Sequence, residues 1–158
     1  MFADQRETRQ NLFMNSTTLQ FGRWPSPLSA TRVAAGRRLD GVAFDSDGET
    51  LVWLEGRSGQ GVLVVADPSG DAPRDLTTQH NVRAEVGYGG GDFTVHAGVA
   101  YYVVHKTGRL FRQSLQSGPP TPLTPAFGAA SSPCVSGDGQ FVTYVHTDED
   151  VDRIAVTD

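Results

Sequence analysis

The 158-residue sequence contains one cysteine, one isoleucine and one lysine, and it has no long run of apolar residues. The lone cysteine, Cys134, cannot form an internal disulfide, so nothing in the composition requires an oxidising compartment. A transmembrane helix needs about 18 or more consecutive apolar residues, and no such stretch occurs. The first 20 residues also lack the apolar core of a signal peptide. We therefore expect a cytoplasmic protein without a membrane partner.

Positive charge is scarce as well. Lys and Arg number 13 against 18 Asp and Glu, and the net charge of −5 argues against a nucleic-acid partner. The four histidines and the cysteine do not pair at the spacing of zinc ligands. The acidic loop that starts at Asp45 lacks the glycine and the glutamate that a calcium-binding loop requires. We expect neither a metal nor a cofactor.

The sequence also lacks sustained helical periodicity. After the first thirty residues, no segment keeps apolar residues at i, i+3, i+4 and i+7 for three turns, and only Thr31 to Ala35 offers a short helical option. Valine is abundant, and the 18 glycines and 9 prolines supply many turn residues. This composition predicts an all-β fold.

Three segments repeat one order of elements: apolar strand, tight turn, apolar strand, polar turn and a third strand, with Leu-Thr closing the first two segments. They cover approximately residues 41–77, 82–124 and 129–158. The glycines of the tight turns, Gly48, Gly98 and Gly139, are 50 and 41 residues apart. Such spacings, with about four short strands per unit, are typical of β-propeller blades.

A β-sandwich or an open barrel of about eleven strands is the competing interpretation. The regular recurrence of the same turn inside each unit favours the propeller. We therefore predict an all-β, partial β-propeller of about three four-stranded antiparallel blades in residues 21–158, preceded by an N-terminal arm in residues 1–20.

Short motifs in a fixed order connect the sequence to a known family. They are Phe21-Gly-Arg-Trp24-Pro-Ser-Pro27, Val33-Ala-Ala-Gly36, Trp53-Leu-Glu55-Gly-Arg57, Asn81-Val-Arg83, Tyr88-Gly-Gly-Gly91 and Leu110-Phe-Arg-Gln113. With these motifs the chain resembles the N-terminal propeller of serine peptidases of the prolyl oligopeptidase class, nearest to the bacterial dipeptidyl aminopeptidases and acylaminoacyl peptidases. The resemblance implies a propeller that restricts access to a C-terminal α/β-hydrolase domain with a Ser-Asp-His triad.

A catalytic serine is not recognisable in this chain. The nucleophile elbow of such hydrolases is Gly-x-Ser-x-Gly between a strand and a helix. The nearest string, Gly56-Arg-Ser58-Gly-Gln60, lacks the last glycine and precedes an apolar strand, so Ser58 is predicted to lie in a hairpin turn. We expect no enzyme activity from this chain alone. It would be the non-catalytic propeller portion of a peptidase-like protein or, alternatively, a stand-alone protein-binding or self-assembling module.

The candidate binding residues follow from the same resemblance. The family usually carries a His-Glu pair before Tyr-Gly-Gly-Gly, whereas Val86-Gly87 precede Tyr88 here. Glu85 is the nearest acidic residue that could replace that glutamate. The candidates for ligand binding are therefore Arg83, Glu85 and Tyr88.

Three units are fewer than the four blades of the smallest propellers, so two blade faces would lack a neighbour. The hypothetical partners are a second copy that completes the ring, with Phe21 to Pro27 near the seam, or a C-terminal hydrolase domain outside this sequence. A monomer whose N-terminal residues fold back over the open edge is the alternative. Two packing predictions accompany this scheme: Trp53 faces the core with Leu51 while Val52 points the other way, and Cys134 is buried.

Overall fold

The computed structural model describes residue 31, residues 36–84 and residues 91–158. The segment from Phe21 to Pro27, predicted to lie near a seam, is outside the described residues. The two long ranges consist of strands connected by turns. The strands are β1 (Arg38–Phe44), β2 (Leu51–Arg57), β3 (Gln60–Ala66), β4 (Arg74–Asp75), β5 (Phe93–His96), β6 (Val99–Val104), β7 (Arg109–Ser114), β8 (Thr121–Pro122), β9 (Ala129–Val135), β10 (Val142–Asp148) and β11 (Val151–Thr157).

The strands form three antiparallel meanders. The first sheet has the order β1-β2-β3-β4, the second β5-β6-β7-β8 and the third β9-β10-β11. Three hairpins close with two-residue turns whose residues all have positive φ: Ser58-Gly59 (48° and 84°), Ala97-Gly98 (48° and 76°) and Glu149-Asp150 (48° and 58°). This geometry matches the twist of the flanking strands. The prediction that Ser58 lies in a hairpin turn is confirmed.

The Leu-Thr pairs that close the first two repeats have the same structure. The Leu76 N–H donates to the Leu63 carbonyl at 2.8 Å, and the Thr77 hydroxyl accepts from the Leu63 N–H at 2.9 Å. In the second sheet the Leu123 N–H donates to the Leu110 carbonyl at 2.8 Å, and the hydroxyl of Thr124 accepts from the Leu110 N–H at 3.0 Å. The sequence repeat is therefore also a repeat of hydrogen bonds.

Loops at corresponding places connect neighbouring sheets. The buried carboxylate of Asp45, after β1, accepts from the Gly98 N–H at 2.7 Å. The adjacent Ser46 hydroxyl accepts from the Ala97 N–H at 2.9 Å. These bonds join the β1–β2 loop to the β5–β6 turn, so the same ends of the first and second sheets lie side by side.

Two clusters of apolar side chains fill the spaces between the three sheets. The one between the first and second sheets comprises Val52, Leu54, Leu63, Val65, Leu76, Val82, Val95, Ala100, Tyr102, Val104 and Leu115. The other, between the second and third sheets, comprises Ala84, Val103, Leu110, Ala130, Val142 and Tyr144. The second sheet is thus packed on both faces, and the sheets stack in chain order. The predicted all-β partial propeller is confirmed, although the third sheet has three strands among the described residues.

Two packing predictions are wrong. Leu51 and Trp53 do lie on the other face of the strand from Val52. It is Val52 that faces the core, with 0% exposure, while Trp53 is half-buried on the outer face of the first sheet. The side chain of Cys134 is exposed rather than buried. It pairs with Thr143, whose neighbours Val142 and Tyr144 point into the core. Since alternate residues of a strand face opposite ways, Cys134 lies on the outer face of the third sheet.

Candidate functional site

The segment from Asn81 to Ala84 is held between the first and second sheets. The Gly61 N–H donates to the Asn81 side-chain oxygen at 2.6 Å, and the Val82 N–H donates to the Gly61 carbonyl at 2.9 Å. A Cβ atom at Gly61 would lie 2.0 Å from the Val82 carbonyl oxygen, so this approach requires glycine. The Arg83 N–H donates to the Val103 carbonyl at 3.0 Å. The backbone is therefore fixed while the Arg83 side chain is exposed.

A cleft of about 960 Å³ opens beside this segment. Its walls come from β1, the β2–β3 turn and the residues around Gly91, and they include several glycines. The polar lining includes Arg38, Asp40, Gln60, Asn81, Arg83 and Asp92. This size is within the range of small-molecule sites.

Asp92 is a partly buried carboxylate in the lining of the cleft. Its Oδ1 atom accepts from the Ala84 N–H at 2.6 Å. Burial raises the pKa of Asp92 and the nearby charge of Asp40 adds to this rise, while the hydrogen bond from the Ala84 N–H and the charges of Arg83 and Arg38 lower it. A carboxylate that is partly desolvated and close to a second carboxylate is stabilised by a cation. The cleft therefore favours a positively charged group near Asp92.

Arg38 and Asp40, two residues apart on β1, form an ion pair in the lining of the cleft. The Arg38 Nε and Asp40 Oδ1 atoms are 2.5 Å apart, and the contact raises the pKa of the Arg38 guanidinium. The Arg38 side chain is largely exposed, so solvent screens this pair. With Arg83 and Asp92, the lining has two positive and two negative groups. It can contact both charges of a zwitterionic ligand.

Of the three candidate binding residues, Arg83 lies in the cleft. Glu85 and Tyr88 are outside the described residues. Sequence reasoning missed Asp40 and Asp92. Asp92 directly follows the triple glycine that the sequence singled out, and this adjacency was the available signal.

Ser58 lines the cleft from its two-residue hairpin turn, between two antiparallel strands. No group of three or more His, Cys, Asp or Glu side chains within 36–84 and 91–158 is placed to hold a metal ion. Among the same residues, no helix has the length and apolar character needed to cross a bilayer.

Solved structures define the class of this chain. A TolB from Acinetobacter baumannii is 17% identical, matches 75% of this chain and 29% of its own, and has a TM-score of 0.58. A TolB-type protein from Agrobacterium tumefaciens is 16% identical over 70% of this chain and 39% of its own, with a TM-score of 0.52. At these identities the likeness shows the fold alone. The chain is a partial β-propeller.

A peptidase structure is more similar to this chain than the two TolB structures are. The structure of a puromycin-hydrolysing peptidase from Mycobacterium tuberculosis is 27% identical to this chain, with a TM-score of 0.69 over 89% of it. The matched region is only 23% of that peptidase, so this chain spans less than a quarter of its length. No family model and no curated protein matches the sequence. The chain is therefore a propeller segment with a peptidase-like relation.

Proposed function

We propose that this chain is the non-catalytic propeller portion of a serine peptidase-like protein, in which it governs access or assembly rather than hydrolysis. The branch we propose is that of the bacterial dipeptidyl aminopeptidases and acylaminoacyl peptidases. One observation carries the proposal: 89% of the chain superposes on 23% of a peptidase at 27% identity. Because most of that peptidase has no counterpart here, its hydrolytic activity is not transferred to this chain.

The position of Ser58 supports a non-catalytic role. A nucleophile elbow holds its serine on a sharp turn between a strand and a helix, beside backbone donors for the oxyanion. Ser58 instead follows β2 in a two-residue turn that leads directly into β3. The serine nearest to the required motif thus has the wrong backbone context.

The cleft supports a role in contacting the ligand that reaches the peptidase. Arg83 and Asp92 come from the two ends of the segment that includes Glu85 and Tyr88, and both line the cleft. We propose that Arg83, Glu85, Tyr88 and Asp92 contact a peptide-like ligand, with the Asp92 carboxylate nearest to a ligand amine. Puromycin, the compound named for the similar peptidase, carries an amine and is a suitable probe.

Hydrolysis is the first test. The purified 158-residue chain should release no product from puromycin or from an aminoacyl ester. A serine-directed phosphonate should leave no covalent adduct on Ser58. Turnover that the phosphonate abolishes would contradict the proposal.

Binding is the second test. Calorimetric titration with puromycin should show an affinity that Asp92→Asn weakens about tenfold, since one charge-assisted contact is lost. Asp92→Asn retains the Oδ1 acceptor for the Ala84 N–H. Asp71→Asn, at an exposed position outside the cleft, is the matched control. Equal affinities of the two variants, or no binding by the unsubstituted chain, would contradict the proposed role of the cleft.

A further inference from the structure

The outer face of the first sheet, which we call the β1 face, carries an apolar patch. The register pairs Val42 with Trp53 and Phe44 with Leu51. Val42 is 69% exposed and Phe44 is 62% exposed. Large apolar side chains exposed side by side are unusual on a soluble monomer and mark an interaction surface.

The outer face of the third sheet, which we call the β11 face, has the same character. Val145 pairs with Ile154, and Thr143 pairs with Val156. Ile154 is 77% exposed and Val156 is 59% exposed. Cys134, opposite Thr143, belongs to this face. The two ends of the three-sheet stack therefore both present apolar strands.

Several polar groups of both faces already have partners. On the β1 face the Trp53 indole N–H donates to Glu55 at 2.9 Å, and Arg57 binds Glu55 at 2.7 Å and Asp75 through two bonds of 2.7 and 2.9 Å. On the β11 face the Thr143 hydroxyl donates to the Cys134 carbonyl at 3.1 Å. An unpaired polar group would oppose burial, whereas satisfied groups allow it. Both faces can thus be covered without breaking these bonds.

The two faces are the complementary halves of a contact that the chain makes twice. Each sheet packs one face against the next sheet in chain order, first on second and second on third. By the same order, the β11 face is the side of the third sheet on which a following sheet would pack. The β1 face is the side of the first sheet on which a preceding sheet would pack. A third sheet can therefore pack on another first sheet in the manner of the two internal contacts.

We propose that two copies of this chain associate head to tail, with the β11 face of each against the β1 face of the other. Two copies of three sheets close a ring of six. Propellers contain about four to eight blades, so a third copy would exceed the common range. A two-fold ring buries all four open faces and avoids a filament. The proposal depends on the propeller fold and not on the peptidase relation.

Sedimentation equilibrium of the full chain tests the stoichiometry. The expected mass at micromolar concentration is twice the 17.0 kDa of the single chain. A single species of 17.0 kDa would overturn the proposal. A continuous series of larger masses would overturn the closed ring.

Substitutions on the two faces test the geometry. Ile154→Glu and Phe44→Glu should each weaken association about 30-fold or more, the effect of losing an interface hot spot. Both side chains are exposed in the single chain, and neither lines the cleft, so puromycin binding should be unchanged. Gln116→Glu, in an exposed turn, is the matched control and should retain the dimer.

Mixing the two variants distinguishes head-to-tail packing from other arrangements. A mixed pair keeps one seam with two unsubstituted faces, so the mixture should dimerise more strongly than either variant alone. If identical faces met instead, only the substitution on that face would weaken the dimer, and the substitution on the other face would have no effect. The mixture would then show no gain over the single variants. That result would overturn the proposal.

Cys134 provides an independent readout. As the single cysteine of the chain, it is exposed on the β11 face, so a maleimide should label it rapidly in the dissociated chain. Labelling should slow several-fold at dimer concentrations and recover in Phe44→Glu, whose substitution is on the opposite face. Equal labelling rates at all concentrations would contradict burial of the β11 face.

Discussion

The second sheet and the two end sheets come from the same sequence repeat but have different surroundings. Successive residues Tyr102 and Val103 of β6 face opposite ways, and each is 0% exposed. In the first sheet, Val52 is equally buried while its neighbour Trp53 is half-buried. In the third sheet, Ala155 is packed and Ile154 is 77% exposed. The strand sequence sets the alternation, and the number of neighbouring sheets decides how many faces become core.

The largest loss of stability is expected for a substitution of Tyr102, which lies in the second sheet. Its hydroxyl lies 3.0 Å from the His80 Nδ1 atom and donates to the Gln113 oxygen at 3.0 Å. Tyr102→Ala should lower the free energy of unfolding by about 3–5 kcal/mol, as truncations of buried aromatic residues do. Trp53→Ala, on an outer face, should cost less than half of that in the dissociated chain. Equal losses in denaturant unfolding would contradict the difference between the sheets.

The next effect concerns the boundary between the first and second sheets. Gly61→Ala places a Cβ atom 2.0 Å from a backbone oxygen of Val82. We expect a loss of about 1–3 kcal/mol, typical of overpacking, together with weaker puromycin binding because the wall of the cleft moves. Gly137→Ala has open space around the added methyl group and is the control. Thermal unfolding and calorimetry measure both effects, and identical behaviour of the two variants would contradict the close approach.

Because the two repeats have equivalent hydrogen bonds, corresponding substitutions in them should cause similar, smaller losses of stability. Thr77→Val and Thr124→Val each remove the acceptor for a buried N–H, that of Leu63 or Leu110. Each substitution should cost about 1–2 kcal/mol, the penalty for a buried unsatisfied donor. Denaturant midpoints should shift by similar amounts. A loss at only one of the two positions would show that the repeated bonds differ in strength.

The smallest effect is the pH dependence of stability. Hydrogen bonds from Trp53 and then Arg57 lower the pKa of Glu55 below its usual 4.5. The folded state therefore holds this proton less tightly than the unfolded state. Its stabilising contribution is full above pH 4.5 and is lost as the pH falls through the lower folded value. Glu55→Gln should flatten the fall of the unfolding free energy below pH 4.5.

Asp92 should act with the opposite sign. Burial, and then the charge of Asp40, raises the pKa of Asp92 above 3.8, so its ionisation opposes folding as the pH rises through the folded value. Asp92→Asn should remove that loss and make the chain slightly more stable at neutral pH. Unfolding curves at several pH values measure both variants. Parallel changes in Glu55→Gln and Asp92→Asn would contradict the assigned causes.

The cleft could be predicted only in part. Arg83 was accessible to sequence reasoning because it belongs to a motif of the resembled peptidases. Asp40 comes from β1, more than fifty residues before Asp92, and nothing local connects these two carboxylates. They approach because the segment after Asn81 crosses from the first sheet to the second. A site assembled across two sheets becomes visible only in the folded chain.

The sequence by itself determined the strands, the tight turns and the order of the repeats. These are local properties: apolar alternation defines a strand, and glycine permits the positive φ of Gly48, Gly98 and Gly139. Only the tertiary structure decided that Val52 and not Trp53 faces the core, and that Cys134 is exposed. Alternation gives a strand two faces but does not say which one a neighbouring sheet covers. That choice depends on packing between segments far apart in the chain.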